Sequence, residues 1–144
     1  MKILSKLKLI SSFILLCCIF LPIAKCSKLV DEGYEGEPPT FNVYIYGTEI
    51  KDNSLIPIAL WSLPFLLAVV ALKFQTSILV NALQISAGFG AVYVGYWVFI
   101  WVKELLWPAY LASISIAVYC ICSFISTFIL IKLWHLTKSS KTTP

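Results

Sequence analysis

The stretch from Ser77 to Val102 reads SILVNALQISAGFGAVYVGYWVFIWV and contains no charged residue. It is longer than the roughly 20 residues that an α-helix needs to cross a bilayer. Two further apolar runs, Ile56–Leu72 and Pro108–Leu133, flank it. The connectors between the runs, residues 73–76 and 103–107, are too short to leave the membrane surface. The pattern therefore predicts three membrane helices that run up, down and up.

The composition of the whole chain is typical of a membrane protein. Of the 144 residues, 60% are hydrophobic and 12% are charged, and the mean hydropathy is +0.90. A water-soluble domain has roughly 45–50% apolar and about 25% charged residues. Eleven Lys, no Arg and seven acidic residues give a net charge of +4. Because the Lys residues are scattered and form no basic face, we expect no nucleic-acid partner.

The N-terminal 26 residues have the layout of a secretory signal peptide. A basic start, Met1–Lys8, precedes the apolar run Leu9–Leu21, and Pro22 separates this run from the small-x-small sequence Ala24-Lys25-Cys26. This order predicts cleavage after residue 26. An uncleaved anchor is the alternative, since Leu7–Ala24 is just long enough to cross a bilayer, and lipidation of the cysteine is a third possibility.

Residues 27–54 form the longest polar stretch and hold six of the seven acidic residues. Apolar residues alternate with polar and aromatic ones over Thr40–Tyr46, which predicts a strand or, with a turn at Gly47-Thr48, a small hairpin. So short a segment cannot bury a core of its own. We therefore expect the strand to pair with a partner strand or to rest on the helix ends.

The positions of the Lys residues predict the orientation. With residues 27–54 outside, seven Lys and no acidic residue fall on the cytoplasmic side, whereas four Lys and all seven acidic residues fall outside. This distribution agrees with the positive-inside rule. The sequence thus predicts a multi-pass protein of the cell (inner or plasma) membrane. It divides into residues 1–26, an exported acidic segment 27–54, a transmembrane region 55–134 and a cytoplasmic basic tail 135–144.

The predicted spans offer no group for catalysis. Three charged residues lie between positions 53 and 131, all at predicted membrane surfaces: Lys73, Lys103 and Glu104. Intramembrane aspartyl catalysis and carboxylate proton relays need ionisable groups at depth. Cys120 and Cys122 lie two apart on a helix and point about 200° apart, so they cannot share a metal ion. The single histidine, His135, lies just beyond the third span. We assign no catalytic, cofactor-binding or metal-binding residue and expect no enzyme.

A stripe of small and polar residues follows one face of the second predicted span. Its members are Ser77, Asn81, Gln84, Gly88, Ala91 and Gly95. This heptad-like spacing is typical of the seam between two helices, and a lipid-facing surface would carry large apolar residues instead. Three uses are open: packing on the third helix, docking a helix of another membrane protein or second copy, or lining a polar path in an oligomer through Asn81 and Gln84.

Together these features predict an all-α integral membrane protein. It has three transmembrane helices after a signal peptide, or four if the signal is uncleaved, and a short exported segment with a strand or small hairpin. We expect its partners to be membrane lipid and another membrane protein or a second copy. The expected function is that of a non-enzymatic accessory, assembly or immunity- or exclusion-type partner in a cell envelope. The alternative is a small oligomeric pore or transporter subunit.

Overall fold

The computed structural model describes residues 2–29, 40–46, 55–74, 77–101 and 104–139. Its elements in chain order are α1 (Lys2–Cys18), β1 (Pro22–Leu29), β2 (Thr40–Tyr46), α2 (Leu55–Lys73), α3 (Ile78–Trp101), β3 (Glu104–Leu105) and α4 (Trp107–Ser139). The chain is mostly helical, and each of the three long apolar runs forms a helix. The turn expected at Gly47-Thr48 lies outside the described residues.

Local signals in the sequence fix several helix ends. Ser77 caps α3, because its hydroxyl oxygen accepts a hydrogen bond from the Val80 backbone N–H at 3.4 Å. Helix α1 finishes in short-range backbone bonds, such as Ile19 N–H to the Leu16 carbonyl at 3.2 Å, and Pro22 then begins β1. Helix α4 starts at Trp107-Pro108, where proline lacks an N–H that would have no intrahelical partner.

The four helices form a ring in which neighbours run antiparallel. Helix α1 packs on α2 and α4, and α3 packs on the same two helices from the other side. Side-chain contacts fix the directions: Gln84 meets Leu67 on α2, and further along α3 Ala91 meets Trp61. Because α1 and α3 each run antiparallel to their shared neighbours α2 and α4, they are parallel to each other. They lie diagonally opposite in the bundle.

A three-stranded sheet lies at the end of the bundle where α1 and α3 finish. Its strand order is β2-β1-β3, and both pairs are antiparallel. Strand β2 occupies the predicted Thr40–Tyr46, but its partner is Pro22–Leu29 of the same chain rather than a foreign strand. The first five residues of this strand, Pro22–Cys26, lie in the predicted signal peptide, and Ser27–Leu29 lie in the predicted exported segment. Apolar and polar residues do not alternate strictly in PIAKCSKL, so no local pattern marks it as a strand.

Two of the helices are long and apolar enough to cross a membrane, over Ile78–Tyr96 and Trp107–Leu136. A shorter apolar helix covers Ile58–Lys73. The length and composition of these helices thus support the general prediction of a membrane protein. Three crossings, the signal peptide and the orientation stay predictions.

The core changes character along the bundle. Near the sheet it is apolar and includes Leu15, Ile19, Ile23, Trp61, Val94 and Ile116. Towards the opposite end, buried polar side chains dominate: Ser5, Lys8, Ser11, Ser12, Asn81, Gln84, Ser123 and Ser126. Large apolar side chains point outwards instead, for example Phe13, Leu79 and Phe128. At this end of the bundle the distribution of side chains is the reverse of that in a water-soluble domain, in which charged and amide side chains are mostly exposed.

Candidate functional site

The buried polar cluster is centred on the ammonium group of Lys8. Lys8 lies on α1 and is only 3% exposed. Its side chain reaches across the bundle to the diagonal helix α3. There the Nζ atom donates hydrogen bonds to Gln84 Oε1 at 2.7 Å and to Asn81 Oδ1 at 3.3 Å. Both amides are themselves buried, so this contact ties α1 to α3 through the centre of the bundle.

The two amide groups direct their oxygens towards Lys8 because their nitrogens are held elsewhere. Asn81 Nδ2 donates to the Ser77 carbonyl at 2.9 Å, one turn earlier on α3. Gln84 Nε2 donates to the Leu67 carbonyl of α2 at 3.3 Å. Each amide has one acceptor oxygen and one NH₂ group, so fixing the NH₂ group also fixes the oxygen.

The serine hydroxyls of the cluster do not compete with Lys8 for these oxygens. Ser12 donates to the Leu9 carbonyl at 3.0 Å, Ser123 to the Tyr119 carbonyl at 2.8 Å and Ser126 to the Cys122 carbonyl at 2.8 Å. Each hydroxyl proton is thus used within its own helix, and the oxygen keeps acceptor capacity. The buried cluster is therefore rich in acceptors.

The positive charge of Lys8 has no carboxylate beside it in the described part of the chain. Glu104 is the one acidic residue among the described positions, and it lies in β3 at the far end of the bundle. Two neutral amide oxygens thus solvate the ammonium group. A buried charge is costly unless it is well hydrogen-bonded, so these two contacts are essential to its placement.

One polar atom near this region lacks a partner. The side chain of Tyr119 on α4 is 1% exposed, and its hydroxyl makes no hydrogen bond within the described residues. Its ring edge lies opposite Gly88, where an added Cβ would be 3.5 Å from Cδ1. The hydroxyl is therefore a buried group whose hydrogen-bonding capacity the described chain does not use.

In the structure, the six stripe residues contact other elements of the same chain. Ser77 caps α3, and Asn81 and Gln84 hold Lys8. Gly88 faces Cys120 and Tyr119 of α4 and Gly95 faces Ile116, while the Ala91 carbonyl accepts a hydrogen bond from Trp61 Nε1 at 3.3 Å. The stripe thus meets α1, α2 and α4, and all six positions are buried or half-buried.

Sequence reasoning missed Lys8 as a site residue because it counted Lys8 among the basic residues of the signal peptide. A signal for its role was present. The buried positions Ser5, Lys8, Ser12 and Leu15 of α1 repeat at spacings of three, four and three. This is the seam spacing that was recognised on α3, and an unbroken apolar signal core does not require it.

The described residues form no group of side chains that could hold a metal ion. Groups of three or more His, Cys, Asp or Glu side chains are absent from them. Cys122 is buried and Cys120 half-buried, and both are free thiols. The ring of His135 stacks edge-on against Trp134 at 5.1 Å on the exposed end of α4.

The chain matches no known protein family, and comparisons with characterised proteins and with solved structures find no significant similarity.

Proposed function

We propose that the chain is an integral membrane protein whose bundle of four helices, α1 included, lies in the bilayer. The reversed distribution of side chains supports this proposal. Helix α1 exposes Ile3, Leu7, Ile10 and Phe13, while its serines and Lys8 face the bundle. Lipid is an apolar solvent, so it favours large apolar side chains outside and polar groups paired inside.

In this proposal residues 1–26 are an uncleaved anchor. Helix α1 packs along α2 and α4, and the Phe13 and Phe65 rings lie 5.8 Å apart. Cleavage after residue 26 would cut β1 in the middle and leave β2 with three of its paired positions, those opposite Ser27, Lys28 and Leu29. Loss of α1 would also leave the Asn81 and Gln84 oxygens without the ammonium group.

The proposed orientation has the sheet outside and the opposite end in the cytoplasm. Lys2, Lys6, Lys73 and Lys132 lie at or near the end away from the sheet, whereas the sheet contains Glu104 together with Lys25 and Lys28 of β1. The positive-inside rule favours this assignment. Residues 27–54 are then exported, and the C-terminal tail is cytoplasmic.

The proposed function is that of a non-enzymatic accessory or assembly partner, of the immunity or exclusion type, in a cell envelope. The amide groups of Asn81 and Gln84 pair within the chain, so they are not available to a partner helix. The exported side carries the sheet and six acidic residues in residues 27–54. A partner with a basic exported surface matches this charge.

A crosslinking experiment in intact membranes tests this function. A photoreactive phenylalanine analogue replaces Tyr46, which is exposed at the end of β2, or Phe128, which is 71% exposed on α4. We expect a protein adduct of defined mass from position 46 and lipid adducts only from position 128. Changing Asp31, Glu32, Glu35 and Glu37 to their amides should weaken the adduct without lowering helix content. Absence of a protein adduct at position 46 contradicts the proposal.

The alternative, a pore or transporter subunit, has one favourable observation, namely that Asn81 and Gln84 are buried at the centre of the bundle. A path along them would require Lys8 to move, since its Nζ atom is hydrogen-bonded to both amide oxygens. Solute flux through vesicles containing the purified protein, abolished by Gln84→Leu at unchanged folded yield, would favour this function over the first.

A further inference from the structure

We propose that Asn81 and Gln84 form a receptor for a primary ammonium group inside the bundle, and that Lys8 is its resident ligand. The inference depends on the proposed retention of α1 in the protein. It assigns a purpose to the polar residues of the stripe: they recognise the N-terminal helix of their own chain. The recognition chemistry is that of an RNH₃⁺ group bound by neutral oxygens.

The proposed receptor is formed by two side chains on one face of α3. Asn81 and Gln84 are three residues apart, so both side chains lie on one face of the helix. The Asn81 NH₂ group donates to the carbonyl of Ser77, which caps α3, and the Gln84 NH₂ group donates to the carbonyl of Leu67 on α2. The two oxygens are thus held in place by backbone contacts that do not involve Lys8. A site whose acceptors are fixed before the ligand arrives loses less entropy on binding.

The same geometry selects for a primary ammonium group. An ammonium group on a single carbon carries three N–H donors, and two of them meet Oδ1 and Oε1. A quaternary ammonium ion has no N–H to donate. A guanidinium group is planar and wider, with donors in a fixed fork, so it presents a different donor geometry to the two oxygens.

The contact also sets the depth and register of α1. Helix α1 packs on α2 and α4, and its buried residues other than Lys8 are serines, Leu15 and Cys18. Lys8 is the one charged side chain of α1 that is buried, whereas Lys2 and Lys6 are exposed. Sliding by a turn would move the ammonium group about 5 Å from its oxygens, so one register is favoured.

The receptor is tested by removing the Lys8 side chain and adding a free amine in its place. The full-length Lys8→Ala protein is purified in detergent, and its Tm is followed by circular dichroism with and without n-propylammonium chloride. We expect a Tm about 5 °C below that of the unchanged protein, the size that one or two lost charged hydrogen bonds would give. Propylammonium should restore most of this loss in a saturable manner.

Matched controls separate recognition from charge and salt effects. Lys6→Ala removes an exposed Lys two residues away and should leave Tm unchanged. Tetramethylammonium chloride at the same concentration should not restore Lys8→Ala, and propylammonium should not restore Lys8→Ala/Gln84→Leu. Lys8→Arg keeps the charge and should still lose stability.

The outcomes show whether the receptor proposal fails alone or together with the proposed retention of α1. Intact mass is measured on each preparation, and a chain that lacks residues 1–26 overturns both proposals. A full-length Lys8→Ala protein with unchanged Tm, or equal effects of propylammonium and tetramethylammonium, overturns the receptor alone. If Lys8→Ala yields no folded protein, extraction with propylammonium should recover it. Normal folding of Lys8→Met would then contradict the receptor, since that variant keeps volume without an ammonium group.

Discussion

Among the glycines of α3, Gly88 makes the closest approach to α4. A Cβ atom at this position would lie 2.7 Å from Cys120 Sγ, whereas at Gly95 the nearest atom, Ile116 Cδ1, would be 3.8 Å away. The first distance requires the thiol or the helix to shift, and the second is ordinary van der Waals contact. The same substitution at the two sites should therefore have opposite effects.

We expect Gly88→Ala to lower the free energy of unfolding by about 1–3 kcal/mol, the usual cost of overpacking. Gly95→Ala should be neutral or more stable, because alanine favours a helix over glycine by about 1 kcal/mol. Adding Cys120→Ala should restore much of the loss at Gly88 by removing the clashing sulfur. Denaturation in mixed detergent micelles measures all three. Equal effects of the two glycine substitutions would contradict the packing described.

Tyr119 provides a second test at a single side chain. Its buried hydroxyl has no partner within the described residues, and leaving such a group unpaired costs about 1–3 kcal/mol. Tyr119→Phe removes the hydroxyl and keeps the ring, so the thermal midpoint should stay the same or rise. A clear fall in the midpoint would mean that the hydroxyl binds a group beyond the described residues.

At individual positions, the sequence is most informative where one helix carries the whole signal. The spacing of Ser77, Asn81 and Gln84 suggested a face that avoids lipid, and the structure places these residues against other helices. Lys8 was missed because a basic residue near the N-terminus has a common explanation as part of an export signal. Its partners lie more than seventy residues away. Recognition of such a pair requires knowing that α1 and α3 face each other across the bundle.

Among the secondary-structure elements, the long helices were the most predictable. Helix α2 spans Leu55–Lys73 where Ile56–Leu72 was predicted, and α3 spans Ile78–Trp101 where residues 77–102 were predicted. Uninterrupted apolar runs define such ends well. Helix α4 continues to Ser139, past the predicted Leu133, because an established helix gains one backbone hydrogen bond for each residue added and does not need an apolar pattern to continue. Strand β3 has two residues and exists through its pairing with β1, so no local pattern marks it.

The β1–β2 register leads to a test with an engineered disulfide. Cys26 and Val43 are opposite each other in the sheet. Opposite Cα atoms in an antiparallel pair are about 4.5–5.5 Å apart, within the range that a disulfide spans. We expect Val43→Cys to form a bond with Cys26 after mild oxidation, seen as a mobility shift that reduction reverses.

The neighbouring variant Asn42→Cys serves as the control for this disulfide. Position 42 is opposite Ser27, and successive residues of a strand alternate between the faces of the sheet. It should therefore crosslink to Cys26 much less. Equal crosslinking of both variants, or of neither, would argue against the register.

For the molecule as a whole, the orientation is open to direct measurement. We expect Tyr34→Cys to react with a membrane-impermeant thiol reagent in intact cells and Ser140→Cys to react only after the membrane is opened. The reason is the concentration of Lys residues at one end of the bundle. The unchanged protein, with its own cysteines, gives the background. Labelling of position 140 but not of position 34 in intact cells would invert the orientation.

The four-helix bundle depends on whether residues 1–26 remain in the protein, and the intact mass of the protein purified from membranes decides this most directly. Retention of α1 and β1 gives a mass near 16.1 kDa, that of residues 1–144. This is the expected result, because Lys8 pairs with Asn81 and Gln84 and β1 is the central strand of the sheet. A mass that is short by the first 26 residues would contradict the four-helix bundle and restore a cleaved signal peptide followed by three helices.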